Sequence, residues 1–191
     1  WYGNTTRVDA WRLPTAMRLI CGDGTDTILG EIQEVFTMGR DAFFNAFKAY
    51  VPVEFDHCAD NGYPYAIIAP GKGDGGFGPG EQYEDYFDAY LAELGITGAT
   101  TNEVFACAGD PFGSDAQLAG AVNRHVAHLP ESEWENPANF YQEAPANFYA
   151  AFMHEWSYDN KAYGFAYDDA AGMAAYTACQ DPQLLIIAIG Y

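Results

Sequence analysis

An aspartate near the start of the chain has neighbours that could support proton chemistry. Side chains alternate between the two faces of an extended strand, so Thr5, Arg7, Asp9 and Trp11 would share one face. A guanidinium favours the ionised form of a nearby carboxyl, and an indole offers a flat face to a pyranose ring. The pattern predicts a carboxylate that acts on a sugar. A solvated aspartate paired with arginine is the alternative interpretation.

A second acidic pair, Asp168 and Asp169, follows Tyr167 near the other end of the chain. Adjacent residues of a strand point to opposite faces, so one acid of the pair would face a cleft shared with Asp9. Turn formation is the alternative, because aspartate commonly ends strands.

Two histidines, His125 and His128, lie upstream of Glu131 at a spacing that metal ligands also use. Nothing nearby completes a metal site, so hydrogen-bonded histidines are favoured, and neither a metal nor a cofactor is predicted. Asn123, Arg124 and His125 are instead interpreted as a polar cluster on a cleft wall.

The charge balance limits the class of partner. The 191 residues include 27 acidic and 8 basic side chains, for a formal net charge of −19. Such a surface repels phosphate backbones and anionic lipids, which argues against nucleic acid and membrane partners. It suits a neutral polysaccharide, although adaptation to high salt would give the same charge. With 49% hydrophobic residues the chain can form a packed core.

Four cysteines allow two disulfides in three connectivities, which fits an extracellular protein, and buried thiols are the alternative. The glycine-rich segment 71–80 lacks P-loop spacing and is interpreted as a connector. No Gly-x-Ser-x-Gly sequence is present, so the chain lacks the usual signature of a serine hydrolase.

Hydrophobic periodicity predicts strands towards both ends of the chain and mainly helices between them. A β layer formed by residues 1–30 and 158–191, with an inserted α/β domain over residues 31–157, is the simplest arrangement. The expected strands are residues 2–8, 16–20, 65–69, 162–167 and 184–189, the last a central strand. The expected helices are residues 43–50, 83–94, 116–126 and 136–156, the last broken at Pro145.

Several segments resemble one protein family. Residues 6–14 resemble a thaumatin-family strand of the form Ser-x-Val-Asp-x-x-x-x-Pro, and residues 162–169 are similar to its late Ala-Tyr-x-Tyr-Ala-Tyr-Asp-Asp segment. Residues 86–90, 123–125, 136–141 and 188–191 look like one branch, the β-1,3-glucanases of glycoside hydrolase family 64. The segments occur in the family's order along nearly the whole chain.

The resemblance implies an α+β fold, a thaumatin-like β-sandwich or barrel with an inserted α/β domain, and a groove for a glucan chain. It implies a secreted, monomeric endo-β-1,3-glucanase that inverts the anomeric configuration, with a glutamic acid as general acid. Asp9 matches the general base, and Asp168 and Asp169 match acids of the cleft. The candidate substrate contacts are Trp1, Tyr2, Asn4, Thr5, Arg7, Trp11, Asn123, Arg124, His125, Tyr163 and Tyr167.

One departure from the family pattern bears on catalysis. The family's general acid lies on the strand before the base, and no glutamate precedes Asp9. An N-terminal truncation of a longer enzyme is therefore expected. A glucan-binding protein without catalysis is the alternative function, since binding needs the groove and the aromatic residues but not paired carboxyls.

Overall fold

A computed structural model of the protein describes residues 1–73 and 75–191, so Asp74 of the predicted connector lies outside the described residues. The chain forms a mixed α/β structure with small antiparallel sheets. The strands are β1 (Tyr2–Asn4), β2 (Ala10–Trp11), β3 (Thr15–Cys21), β4 (Asp26–Gly30), β5 (Ile67–Ile68), β6 (Tyr176–Ala178) and β7 (Pro182–Ile189). The helices are α1 (Gln33–Met38), α2 (Arg40–Tyr50), α3 (Asp56–Ala59), α4 (Asp88–Glu93), α5 (Thr101–Ala106), α6 (Ala116–Asn123) and α7 (Phe148–Glu155).

Strands from the two ends of the chain pair with each other. β1 pairs with β6, and β3 lies between β4 and β7 in a three-stranded sheet. The amino group of Trp1 donates a hydrogen bond to the carbonyl oxygen of Cys179, and Cys179 forms a disulfide with Cys21. The cysteines Cys58 and Cys107 are buried free thiols. Residues at opposite ends of the sequence are therefore neighbours in space.

The prediction that residues 184–189 form a central strand is wrong. Within the described residues β7 pairs only with β3 and forms one edge of the sheet. Ile187 and Ile189 remain 54% and 67% exposed. An apolar sequence shows that a strand can be buried, but the neighbours that would cover it are set by tertiary structure.

Helix boundaries follow local chemistry. Phe43 and Phe47, four residues apart on α2, are both fully buried, and the helix stops before Pro52. Asp115 caps α6 by accepting a hydrogen bond from the amide of Leu118 at 2.9 Å. The helix expected over residues 43–50 is confirmed, and the one expected over residues 116–126 is confirmed as far as Asn123, where α6 ends. The helices expected over residues 83–94 and 136–156 are shorter, and α4 and α7 are their helical parts.

A single large core joins the helices to both ends of the chain. The ring of Trp11 lies 4.3 Å from that of Phe43, and Phe43 lies 5.0 Å from Phe152 of α7. Phe165 from the late segment belongs to the same core. The strand predicted over residues 162–167 is wrong, since this segment folds as irregular turns. Among the described residues, no helix is long and apolar enough to cross a membrane.

Candidate active site

Asp9 lies at the surface between β1 and β2. Its carbonyl oxygen accepts a hydrogen bond from the amide of Ala69 at 3.0 Å, directly after β5. Its Oδ1 lies 2.7 Å from Lys72 Nζ, and the Asp9 and Lys72 side chains are 77% and 50% exposed. A surface ion pair of this kind contributes less than about 1 kcal/mol to folding. The carboxylate is therefore accessible to water, as a general base in hydrolysis must be.

The predicted pairing of Arg7 with Asp9 is wrong. Arg7 instead forms two parallel hydrogen bonds with Glu31, Nε to Oε1 at 2.6 Å and Nη2 to Oε2 at 2.7 Å. Glu31 is 3% exposed and also accepts a hydrogen bond from the amide of Thr15 at 2.6 Å. The chain leaves the strand conformation after Asn4, so side chains beyond it no longer alternate as expected.

Two hydrogen bonds hold the backbone of Arg7 against the rest of the protein. Its amide donates to the carbonyl oxygen of Tyr163 at 2.7 Å. Its carbonyl oxygen accepts from the hydroxyl of Tyr149, in α7, at 2.6 Å. Tyr149 is fully buried, and burial raises the pKa of its hydroxyl. The segment that leads to Asp9 is thus fixed by the core and by the late segment.

Tyr163 links this segment to the exposed member of the late acidic pair. Its side chain is half-buried, and Asp169 is exposed. Burial and the adjacent carboxylate of Asp169 both raise the pKa of the Tyr163 hydroxyl. The carbonyl oxygen of Tyr163 therefore contacts Arg7, and the side chain of Tyr163 lies beside Asp169.

The prediction that Asp168 faces an acidic cleft is wrong, because its side chain is fully buried. Oδ1 accepts from Arg124 Nη2 at 3.0 Å, and Oδ2 lies 2.9 Å from His154 Nε2 and 2.7 Å from the amide of Gly164. Burial, the largest influence, opposes ionisation. Contacts with His154 and Arg124 outweigh it and lower the pKa of Asp168. Asp168 stabilises the fold and faces no groove.

The predicted polar cluster of Asn123, Arg124 and His125 is also mainly buried. Asn123 and Arg124 are 0% and 1% exposed, so their predicted place on a cleft wall is wrong. Asn123 donates to the carbonyl oxygen of Val104 at 2.8 Å. His125 is partly exposed, its Nδ1 lies 2.8 Å from the carbonyl oxygen of Pro145, and burial lowers its pKa. Its ring stacks on Tyr90 at 4.2 Å.

The aromatic residues predicted around Asp9 divide into two groups. Trp11 is fully buried and cannot stack on a sugar, and Thr5 is also buried. Trp1 is 41% exposed, but its ring lies against Gly3, where a Cβ would meet it at 2.5 Å. Tyr2 is 77% exposed, and Asn4 beyond it is exposed.

Tyr167 is only partly accessible. Its hydroxyl donates to the carbonyl oxygen of Gly113 at 3.1 Å. Of the predicted set near the two chain ends, the exposed members are Trp1, Tyr2, Asn4, Asp9 and Asp169, whereas Arg7, Tyr163 and Tyr167 are half-buried.

Four residues that organise the site were missed by the sequence analysis. Lys72 lies in a segment interpreted as a connector, and Glu31 lies between a strand and a helix without a motif around it. Tyr149 and His154 resemble ordinary core residues of an apolar helix. Their partners are 14 to 142 positions away in sequence, so no local signal identifies them. Among the described residues, no group of three or more His, Cys, Asp or Glu side chains could hold a metal.

A water-accessible carboxylate and exposed tyrosine and amide side chains are groups that a glycan-processing site can use. The comparisons agree with this class. A family model described as beta-1,3-glucanase, glycoside hydrolase family 64, matches residues 96–189. None of the curated proteins matches the chain.

Solved structures extend the similarity to the whole chain. A laminaripentaose-producing beta-1,3-glucanase of this family from Paenibacillus barengoltzii is 37% identical over 100% of this chain, with a TM-score of 0.87. The same enzyme has been solved in complex with laminarihexaose. A beta-1,3-glucanase domain from Clostridium beijerinckii is 30% identical, also over 100% of this chain, with a TM-score of 0.85.

The chain is similar to enzymes of glycoside hydrolase family 64 over its whole length. It spans 43% of the length of the Paenibacillus structure and 60% of that of the Clostridium domain.

Proposed function

We propose that the protein hydrolyses β-1,3-glucan and that Asp9 is the general base. The observation that carries this proposal is the position of Asp9, an accessible carboxylate on a segment that Tyr149 and Tyr163 fix in place. Its Lys72 partner is itself half-exposed, so a substrate can approach without disrupting the core.

The proposed reaction is an inverting, two-carboxylate hydrolysis. Asp9 accepts a proton from water, whose oxygen attacks the anomeric carbon on the face opposite the leaving oxygen. A second, protonated carboxyl donates its proton to that oxygen as the glycosidic bond breaks. The two carboxyl groups of such a site stand about 6.5–9.5 Å apart, which leaves room for the water. We assign the general acid to no residue of this chain.

The glucan is proposed to lie over the accessible residues around Asp9. Tyr2 and Tyr163 offer aromatic faces to sugar rings, and the Asn4 amide offers donors and an acceptor to hydroxyl groups. The Paenibacillus relative was solved in complex with laminarihexaose, which supports a β-1,3-linked substrate. A neutral polymer is also compatible with a net charge of −19.

We further propose an endo mode of cleavage, a thaumatin-like arrangement of the β part, secretion, and a monomeric state. The pairing of strands from both chain ends supports the β arrangement. The disulfide between Cys21 and Cys179 supports an oxidising, extracellular location.

Asp9→Asn in the full-length protein tests the proposal. We expect the turnover of laminarin to fall by about 10²–10⁴-fold while binding of laminarihexaose is retained, because the amide cannot accept the proton of water. Asp60→Asn is a matched control, since Asp60 forms a similarly exposed ion pair with Lys48 at 3.1 Å. Unchanged turnover in Asp9→Asn would remove Asp9 from catalysis. Binding without any cleavage by the unaltered protein would favour a glucan-binding function.

A further inference from the structure

The two-stranded sheet of β1 and β6 has an outward face that includes two exposed tyrosines. In the antiparallel register Tyr2 pairs with Ala178, and Asn4 pairs with Tyr176. These four residues are exposed, whereas the intervening Thr177 is buried. Because side chains alternate along each strand, the four exposed residues share one side of the sheet. We call this set the β1–β6 face.

The tyrosines of the β1–β6 face are available to a ligand. Tyr2 is 77% exposed and Tyr176 is 51% exposed. They occupy diagonal positions of the strand pair, where Cα atoms lie about 7–8 Å apart, within reach of aromatic side chains. The Trp1 ring packs on the Gly3 side, which faces the other way, so it does not cover them. Asn4 shares this face, directly opposite Tyr176 in the register, and its amide adds hydrogen-bonding groups.

The β1–β6 face is continuous with the segment that bears Asp9. The amide of Thr5, directly after Asn4, donates a hydrogen bond to the carbonyl oxygen of Ala175, directly before Tyr176, at 3.3 Å. The carbonyl oxygen of Tyr163 accepts the hydrogen bond from Arg7 at 2.7 Å. A polymer that extends from Asp9 back along this segment to β1 would therefore meet Tyr176, which pairs with Asn4.

We infer that Tyr176, together with Tyr2 and Asn4, binds a glucosyl residue of the β-1,3-glucan chain beside the cleavage point. This inference rests on the proposed function and adds Tyr176 as a positioning residue. The tyrosine rings stack on the apolar face of the sugar, and the Asn4 amide hydrogen-bonds to its hydroxyl groups. Single exposed aromatic residues are common on protein surfaces. Two of them on one narrow face, with an amide opposite Tyr176 on the strand that leads to Asp9, form a sugar-binding arrangement.

Substitutions at Tyr176 in the full-length protein test the inference. We expect Tyr176→Ala to raise KM for laminarin and Kd for laminarihexaose about tenfold, the equivalent of about 1.4 kcal/mol, with kcat changed less than about twofold. Tyr176→Phe keeps the ring and should restore both constants. Tyr50→Ala is the control, because Tyr50 is similarly exposed at 45% but packs on Phe152 of α7.

The outcomes separate the inference from the proposed function. Unchanged KM and Kd in Tyr176→Ala, with normal cleavage by the unaltered protein, would overturn the inference and leave the proposed function intact. Equal losses in Tyr176→Ala and Tyr50→Ala, or a thermal transition lowered as much as the affinity, would show a structural effect and also overturn it. Failure of the unaltered protein to bind or cleave laminarin would overturn both.

Discussion

The hydroxyl of Tyr149 donates a hydrogen bond to the carbonyl oxygen of Arg7 at 2.6 Å, although the two residues are 142 positions apart. The bond joins the buried helix α7 to the segment that leads to Asp9. Since the Tyr149 side chain is fully buried, its geometry is set by the core and not by solvent. The orientation of the candidate base therefore depends on a residue that never touches a substrate.

Tyr149→Phe should weaken this tether without emptying the core, because only the hydroxyl oxygen is lost. We expect the free energy of unfolding to fall by about 1–2 kcal/mol, since the Arg7 carbonyl loses a partner. The turnover of laminarin should fall several-fold, with KM less affected. Urea denaturation and steady-state kinetics measure both effects. Tyr63→Phe is the control at a 43% exposed position, and identical behaviour of the two variants would show that the tether has no role.

The ion pair between Arg7 and Glu31 should contribute far more to the free energy of unfolding than an exposed pair does. The Arg7 and Glu31 side chains are 12% and 4% exposed. Glu31→Gln leaves the guanidinium without a charged partner, and we expect a loss of about 3 kcal/mol in the free energy of unfolding. Asp26→Asn is the control, since it breaks the exposed pair with Arg18 at a cost of less than about 1 kcal/mol. Equal losses measured by urea denaturation would contradict this account.

The buried carboxylate of Asp168 should contribute to acid unfolding. Burial opposes its ionisation, but His154 and Arg124 together lower its pKa in the folded protein. A lowered folded-state pKa gives stability that is present above the unfolded value of about 3.9 and is lost as the pH falls through the folded value.

Asp168→Asn should remove this share of the pH dependence. We expect it to be less stable than the unaltered protein at neutral pH, with the difference shrinking between about pH 5 and pH 2. Urea midpoints across that range check the prediction, with the exposed neighbour Asp169→Asn as control. A constant difference between the Asp168→Asn and unaltered curves would mean that the carboxylate is not ionised in the folded state.

Local signals in the sequence were sufficient for several elements. The spacing of Phe43 and Phe47, with Pro52 downstream, is a local signal for α2, and the capping residue Asp115 is a local signal for the start of α6. The strand expected over residues 16–20 is confirmed as the central part of β3. In each case the deciding interaction lies within a few residues along the chain, so the sequence displays it directly.

The candidate site was predictable only in part, because its other contacts are long-range. Asp9 was identified from its neighbours and the family resemblance, and it is accessible as a general base must be. The expected companion of Asp9 was Arg7, but tertiary structure pairs Arg7 with Glu31. Trp11 was expected to face a sugar, yet its position in β2 turns the ring into the core. Strand alternation fixes relative faces only while the strand continues.

Chemical rescue of an Asp9→Ala variant tests the central claim most directly. Azide is already an anionic nucleophile and needs no base to remove a proton, so it can replace water once the carboxylate is gone. We predict that the variant loses about 10²–10⁴-fold in laminarin turnover and that azide restores part of it, giving a glucosyl azide of inverted anomeric configuration by NMR. Undiminished turnover in Asp9→Ala, or a loss that azide does not relieve, would contradict the assignment of Asp9 as the general base.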